Sequence, residues 1–174
     1  MVGTIRIRRL EAIGERELQG LSDVLIDCVE GGASVSFMLP MSRAKAAEFW
    51  RGASMEVTRG ERVVLAAEDA AGSIVGTVQI MLAQPENQPH RADIAKMLVH
   101  RRARRRGVGA ALLAAAERTA LELGKTLLVL DTASADAERL YARLGWQRCG
   151  VIPGYALLPH GGLCDTAIFY RTLA

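Results

Sequence analysis

The sequence lacks the features that mark several specialised classes of protein. Its three cysteines are far apart and not in C-x-x-C spacing, so they support neither a disulfide framework nor a structural zinc site. No stretch approaches the roughly 20 consecutive apolar residues of a membrane span. The N-terminus carries charge from Arg6 onward, where a signal peptide would be apolar. We therefore expect one cytoplasmic domain over residues 1–174, with neither a metal nor a membrane partner.

A large excess of one charge is also missing, although basic residues are concentrated at one place. The net charge is +3, and removing the five arginines between Arg101 and Arg106 leaves −2. A duplex-binding protein usually spreads its basic residues along a face that follows many phosphates. The local concentration instead favours a compact anionic ligand, and we do not expect a nucleic-acid partner.

What the sequence does contain is a regular succession of strand and helix patterns. Alternating or continuous apolar runs predict strands, and apolar residues at helical spacing predict helices. The predicted strands cover residues 4–10, 61–69, 73–84, 91–100, 125–131, 146–151 and 166–170, and the predicted helices cover residues 16–30, 42–59, 107–123 and 134–144. A loop is expected between the last two strands. Strand, helix and strand around residues 92–131 form a parallel crossover, so the predicted fold is α/β, or α+β in looser usage, with a mixed sheet.

A glycine-containing loop follows the fourth predicted strand. Its pattern is R-x-x-G-x-G, formed by Arg104, Gly107 and Gly109, and a helix starts directly after it. A helix N-terminus offers unpaired N–H groups, and glycines let a phosphate approach the backbone. A Walker loop would need Gly-Lys-Ser or Gly-Lys-Thr, and a dinucleotide fingerprint would need a glycine in place of Leu112. The loop therefore predicts a pyrophosphate site of another kind, with a simple strand-to-helix turn as the alternative.

Two segments together resemble the GNAT family of N-acetyltransferases. They are MLVHRRARRRGVGAALL, which contains the glycine loop, and RLYARLGW, which ends at Trp146. The resemblance implies a mostly antiparallel sheet, acetyl-CoA as cosubstrate and no metal. It also implies that the strand before the loop pairs with the pantetheine arm and that the loop wraps the pyrophosphate. The cofactor-binding residues are then Met97, Leu98, Val99, Arg104, Arg105, Arg106, Gly107, Val108, Gly109 and Ala110.

Three residues are candidates for the acid–base chemistry of acetyl transfer. By the same resemblance, Tyr141 matches the tyrosine that protonates the leaving thiolate, and Asp93 and Asp131 are candidate bases on strands that flank the cofactor helix. Each residue also has a structural alternative. Tyr141 could be a core aromatic, Asp131 the end of a strand, and Asp93 a partner of Arg91. No cysteine lies in these motifs, so we expect direct attack in a ternary complex rather than a covalent acetyl-cysteine.

Five shorter segments resemble GNAT members that acetylate an amino-acid-like β-lactam toxin. They are GGASVSFM at 31–38, KMLV at 96–99, LDT at 130–132, PGY at 153–155 and TAI at 166–168. The resemblance implies a small amine as acceptor, with Phe37 and Tyr155 in the walls of its site. A peptide or protein N-terminus as acceptor, and an acyl-CoA-binding module without turnover, remain alternatives. C-terminal edge strands pair subunits in this family, so a homodimer is also open.

Overall fold

The computed structural model describes residues 5–174, and its elements follow the predicted order. Thr4, at the start of the first predicted strand, lies outside the described residues. The strands are β1 (Arg6–Arg9), β2 (Arg62–Glu68), β3 (Ile74–Met81), β4 (Arg91–Val99), β5 (Leu127–Thr132), β6 (Gln147–Leu157) and β7 (Leu163–Thr172). The helices are α1 (Glu15–Glu30), α2 (Arg43–Thr58), α3 (Val108–Glu122) and α4 (Ala135–Arg143). A short 3-10 turn, Arg101–Ala103, separates β4 from the glycine loop.

The seven strands form one mixed sheet in the order β1-β2-β3-β4-β5-β7-β6. Every neighbouring pair is antiparallel except β4 and β5, which are parallel and joined by the crossover through α3. Helices α1 and α2 cover one face of the sheet, and α3 and α4 cover the other. The predicted α/β class, with a mixed and mostly antiparallel sheet, is confirmed.

Two apolar cores hold the helices, one on each face of the sheet. On the α1–α2 side, Leu21, Leu25 and Trp50 are fully buried, and on the α3 side Leu112 and Leu113 are fully buried. Burial of one such side chain contributes about 1.5–3 kcal/mol. The sheet is therefore packed on both faces, which fixes the positions of the residues at its centre. Among residues 5–174, no helix is long and apolar enough to cross a membrane.

The start of α2 is fixed by the predicted cap. The Ser42 hydroxyl accepts a hydrogen bond from the Lys45 N–H at 3.1 Å, which satisfies one of the unpaired donors of the first turn. Gly60 follows the helix with a φ of 72°, a left-handed conformation that favours glycine. Both predicted ends of this helix are confirmed.

The C-terminal hairpin is longer than the sequence pattern predicts. The segment from Pro153 to Gly162 was expected to be a loop, but β6 continues through it to Leu157. The strand tolerates Pro153 because a bulge interrupts its pairing with β7 between Ile152 and Ala156, where no backbone N–H of that proline is needed. A proline in a strand pattern usually argues against a strand, which is why the extension was missed.

Candidate active site

The centre of the sheet opens into a gap between β4 and β5. The two strands pair only over Arg91–Asp93 and Leu127–Val129. Beyond this point β4 continues to Val99 and β5 to Thr132 without pairing to each other. The edge of β4 that faces the gap can therefore form backbone hydrogen bonds with a ligand that lies along it, as a neighbouring strand would.

A β-bulge in β4 accounts for the divergence of the two strands. Thr77 of β3 lies opposite Leu98, and Gln79 lies opposite Ala95, so β4 carries one extra residue in this interval. Lys96, inside the bulge, has a φ of 48°, which is uncommon for a residue with a side chain. A bulge bends the strand that contains it, and here the bend opens the gap.

The glycine loop presents a row of free backbone donors at the start of α3. Gly107 is the residue before the helix and has a φ of 79°, and Arg105 has a φ of 59°. Within the described residues, no backbone carbonyl accepts from the N–H groups of residues 105–110. A Cβ atom added to Gly107 would meet nothing within 4 Å. The loop is thus an open cradle of N–H groups beside a helix N-terminus, which suits an anion.

Gly109 is required for a different reason from the one that the sequence predicts. A Cβ atom added there would lie 3.1 Å from the Leu140 Cδ2 atom and 3.4 Å from the Met97 Cε atom. Its neighbours are therefore side chains of α4 and β4 rather than an open ligand space. The missing side chain lets the first turn of α3 pack closely on both elements.

The arginines of the basic run divide into tied and free groups. Arg101 donates from its backbone N–H and its Nε to the buried carboxylate of Asp27. The Arg104 Nε donates to the Val99 carbonyl at 3.0 Å. Arg105 and Arg106 are exposed and have no hydrogen-bond or ion-pair partner among residues 5–174. The side chains that can reach a bound phosphate without breaking a contact are therefore those of Arg105 and Arg106, whereas Arg104 braces the end of β4.

The two candidate carboxylates differ in how far they are already engaged. Asp93 forms an ion pair with Arg91 and accepts a hydrogen bond from the Gln84 Nε2 at 3.1 Å. Asp131 lies at the carboxyl end of β5, is exposed, and accepts one hydrogen bond from the Thr166 hydroxyl at 2.9 Å. Asp93 therefore has the structural partner that the sequence offered as its alternative role, and Asp131 keeps one oxygen free of side-chain partners.

Tyr141 is buried on the α3–α4 side of the gap. Its ring packs against Phe169, with centroids 5.6 Å apart, and against Trp146 at 6.0 Å. Burial, with a smaller contribution from the negative charge of Asp131, raises the pKa of Tyr141 to about 12. The phenol therefore carries its proton at neutral pH.

The sequence interpretation missed Lys96 as a candidate for a functional residue. Its Nζ atom lies 5.9 Å from the centroid of the Phe37 ring and 5.8 Å from that of Phe49, and it donates to the Ser36 hydroxyl at 3.2 Å. Burial lowers the pKa of Lys96, and the positive charge of Arg62 adds to this effect. The only indication in the sequence is that Lys96 interrupts an apolar strand segment. An ordinary exposed lysine would interrupt the segment in the same way, so the sequence does not single out Lys96.

The connection between α1 and α2 contacts the C-terminal hairpin. The Leu39 N–H donates to the Pro159 carbonyl at 3.1 Å, and the Cys164 thiol lies 3.6 Å from the Ser34 hydroxyl. Phe37, predicted to contact substrate, lies in this connection. Tyr155, the other predicted wall residue, lies in the bulge of β6 and is 55% exposed. The connection therefore lies against the hairpin, whereas Tyr155 is exposed on it.

A comparison with models of protein families identifies the family to which a chain with this gap and glycine loop belongs. The model of the acetyltransferase (GNAT) family matches residues 34–146, which include the gap, the bulge, the glycine loop and Tyr141. The chain belongs to the GNAT family. It is accordingly an acyltransferase that uses acetyl-CoA as its cosubstrate.

Solved GNAT structures share the fold over nearly the whole chain. A protein proposed to be a phosphinothricin N-acetyltransferase is 20% identical, with a TM-score of 0.79 over 98% of this chain and 99% of its own. A ribosomal-protein-alanine N-acetyltransferase from Brucella melitensis is 23% identical, with a TM-score of 0.78 over 97% and 99%. A proposed acetyltransferase from Salmonella typhimurium, solved with acetyl-CoA, is 15% identical, with a TM-score of 0.78 over 98% and 95%. At these identities the likeness establishes the GNAT fold and leaves the acceptor open.

The residues of this GNAT chain fit acetyl-CoA. The free N–H groups of the glycine loop and the open space at Gly107 suit a pyrophosphate, and the unpaired edge of β4 suits the amide groups of a pantetheine arm. Among the described residues, no group of three or more His, Cys, Asp or Glu side chains is arranged to hold a metal ion. The pantetheine arm and the pyrophosphate of acetyl-CoA are therefore complementary to the backbone groups of β4 and of the glycine loop, which are consecutive in the chain.

Proposed function

We propose that this protein acetylates the amino group of a small amino-acid-like molecule by direct attack of the amine in a ternary complex with acetyl-CoA. The observation that carries the choice of acceptor is the hydrogen bond between the Leu39 N–H and the Pro159 carbonyl. This contact ties the α1–α2 connection to the C-terminal hairpin, which favours a small acceptor, whereas a peptide or protein N-terminus needs an open groove. The resemblance to tabtoxin-resistance acetyltransferase supports the same choice, because that enzyme acetylates an amino-acid-like β-lactam.

Cofactor binding is assigned to the segment from Met97 to Ala110. Met97, Leu98 and Val99 would offer their backbone to the pantetheine arm, and residues 105–110 would surround the pyrophosphate with N–H groups. Of the three arginines predicted for the phosphates, Arg105 and Arg106 carry the direct contacts, and Arg104 acts by holding Val99. When bound, acetyl-CoA supplies an activated acetyl group in thioester linkage.

Asp131 is the residue that we assign as general base. At neutral pH most alkyl amines arrive protonated, so the acceptor must lose a proton before its nitrogen can attack. Thr166 orients one oxygen of Asp131, and the exposed carboxylate can take the proton directly or through a water molecule. Asp93 is assigned a supporting position, since its charge is already compensated by Arg91.

Tyr141 is assigned to the leaving sulfur. Its pKa of about 12 lies above the value of about 8.5 for a thiol, and complete proton transfer to the thiolate would cost about 5 kcal/mol. The hydroxyl therefore stabilises the developing negative charge by donating a hydrogen bond, and the proton removed from the amine finally neutralises the thiolate. A buried donor in a shielded site is well suited to this electrostatic role.

The proposed function is tested by thiol release from acetyl-CoA. The purified protein would be offered amino acids, β-lactam amino-acid analogues, polyamines, aminoglycosides and short peptides. Release with the first two groups is expected. Release with short peptides alone would replace the proposal with peptide N-acetylation, and binding of acetyl-CoA without release in any reaction would favour an acyl-CoA-binding module.

A homodimer and a cytoplasmic location complete the proposal. The β6–β7 hairpin exposes apolar side chains at the edge of the sheet, including Ile152 (45%), Leu157 (50%) and Leu163 (70%). An edge strand of 11 residues with exposed apolar groups suits pairing with a second copy. Light scattering during size-exclusion chromatography should give twice the mass of one chain, and a monomer at micromolar concentration would contradict this assignment.

A further inference from the structure

Lys96 is a partly buried positive charge without a counter-ion among the described residues. Among residues 5–174, no carboxylate forms an ion pair with its Nζ atom, and its one hydrogen-bond partner is the neutral Ser36 hydroxyl. The rings of Phe37 and Phe49 pack against each other on one side of the ammonium group, at 5.9 and 5.8 Å from it, and leave its other side open. Aromatic rings and a hydroxyl stabilise a cation only in part, and a buried charge normally has an opposite charge beside it.

The neighbouring cation is already compensated. Arg62 forms an ion pair with Glu56 at 2.6 Å and donates to the Gln79 Oε1 at 2.7 Å. The positive potential that remains at this end of the gap therefore belongs to Lys96. Across the gap, Leu128 and Leu130 of β5 are buried in the core on the α3 side, so the alternation of the strand places Asp131 on the α1–α2 face. Phe37 and Phe49, which contact Lys96, belong to the core on that same face.

We propose that Lys96 binds the carboxylate of the acceptor while Asp131 faces its amino group, so that the enzyme acts on zwitterionic amino acids and their analogues. This inference rests on the proposed function and assigns a substrate class to the same site. Opposite charges at the two ends of the acceptor space match the charges of an α-amino acid.

The same arrangement acts against other amines. A polyamine or an aminoglycoside would bring further positive charge toward Lys96, and like charges at close range in a partly desolvated site are unfavourable. A simple bracing role, in which Lys96 only holds the α1–α2 connection through Ser36 and Phe37, predicts no preference for a carboxylate. The two roles therefore differ in a measurable way.

The test compares amino-acid acceptors with their carboxamides in the thiol-release assay. For each L-α-amino acid that supports release, kcat/KM of the wild-type enzyme should fall roughly 10- to 100-fold when the carboxamide replaces the acid, as expected for a charge-assisted hydrogen bond. Lys96→Met should lower kcat/KM for the acid by a similar factor and change the value for the carboxamide little. Lys96→Arg, which keeps the charge, should retain most of the preference for the acid.

Lys45→Met is the matched control. The Lys45 Nζ atom also lies 5.9 Å from the Phe37 centroid, but it is held by the Met38 carbonyl at 3.0 Å. This variant should keep the preference for the acid, and the Kd for acetyl-CoA should be the same in all variants. Equal use of acid and carboxamide by the wild type, equal losses for both in Lys96→Met, or release with carboxylate-free amines alone would overturn the inference. Release with no amine at all would instead defeat the proposed function itself.

Discussion

The cofactor side and the acceptor side of the gap are built from different parts of the chain. The proposed cofactor side uses backbone groups from one continuous segment, β4 through the first turn of α3. The proposed acceptor side uses side chains from separate elements, among them Phe37, Lys96 and Asp131. Backbone recognition needs glycines at fixed positions and can be read from a motif, whereas side-chain recognition depends on tertiary contacts that bring distant residues together.

Gly107→Val is the substitution with the largest expected effect on acetyl-CoA binding alone. The new side chain would enter the open space of the cradle and would force valine into a left-handed φ of 79°. The Kd for acetyl-CoA, measured by calorimetry, should rise more than about 100-fold because at least two charge-assisted hydrogen bonds would be lost.

Gly60→Val is the matched control for that backbone strain. Gly60 has a φ of 72° and equally open surroundings, but it lies at the end of α2. The control should lose stability and keep its affinity for acetyl-CoA. Wild-type affinity in Gly107→Val would remove the loop from cofactor binding.

Asp131→Asn should break the acceptor side while it leaves the cofactor side intact. Loss of the general base should lower kcat/KM about 100-fold or more at neutral pH and flatten the rising limb of the pH–rate profile. The Kd for acetyl-CoA should not change. Asp93→Asn serves as the comparison and should have a much smaller effect, since Arg91 already engages that carboxylate. The reverse ranking of the two variants would move the base to Asp93.

Tyr141→Phe tests the point where the two sides meet. Loss of one hydrogen bond to the leaving sulfur should lower kcat roughly 10- to 100-fold, with an unchanged Kd for acetyl-CoA. Tyr170→Phe is the control, because the Tyr170 hydroxyl donates to Gln147 on the sheet surface. If kcat of Tyr141→Phe equals that of the wild type, Tyr141 is a core aromatic beside Phe169 and Trp146.

The arginines allow a finer division of the cofactor side. Replacing Arg105 and Arg106 with Gln should weaken acetyl-CoA binding several-fold and reduce its dependence on salt, since exposed charges act through a screened field. Arg101→Gln should instead lower the melting temperature, because the buried carboxylate of Asp27 would lose the guanidinium group and keep only the backbone N–H of residue 101 as a donor from that residue. Equal effects of both changes on acetyl-CoA affinity would contradict the division into tied and free arginines.

The smallest expected effect concerns stability on the acceptor side. Burial lowers the pKa of Lys96, so the folded protein disfavours the charged form, and this cost is fully present at neutral pH, below both the folded and the unfolded pKa. The cost should disappear as the pH rises from the lowered folded pKa toward the unfolded value of about 10.4. Lys96→Met should therefore raise the melting temperature slightly at pH 7, an increase that fades in alkaline solution. A clear decrease at pH 7 would show that Lys96 mainly supports the fold.

Most of the fold could be predicted from the sequence because its signals are local. The succession of helices and strands, the Ser42 cap and the parallel crossover all follow from periodicity and short motifs. The extension of β6 could not be predicted, because Pro153 is tolerated only through a bulge that depends on pairing with β7. Local patterns do not contain that information.

The candidate site could be predicted only in part, for the same physical reason. The motif located the cradle at Gly107, but the close packing around Gly109 depends on α4 and β4, which the motif does not describe. Lys96 was missed because its proposed role depends on its contacts with Phe37 and Phe49, which lie far from it in the sequence. The pairing of Asp93 with Arg91 was the local alternative already visible in the sequence.

The most direct test of the central claim is mass spectrometry of the products formed from acetyl-CoA and the panel of amines. We expect one added acetyl group on the amino nitrogen of a small amino acid or amino-acid analogue. We expect no acetylation of polyamines or aminoglycosides. Acetylation confined to peptides, or to amines without a carboxylate, would contradict the central claim.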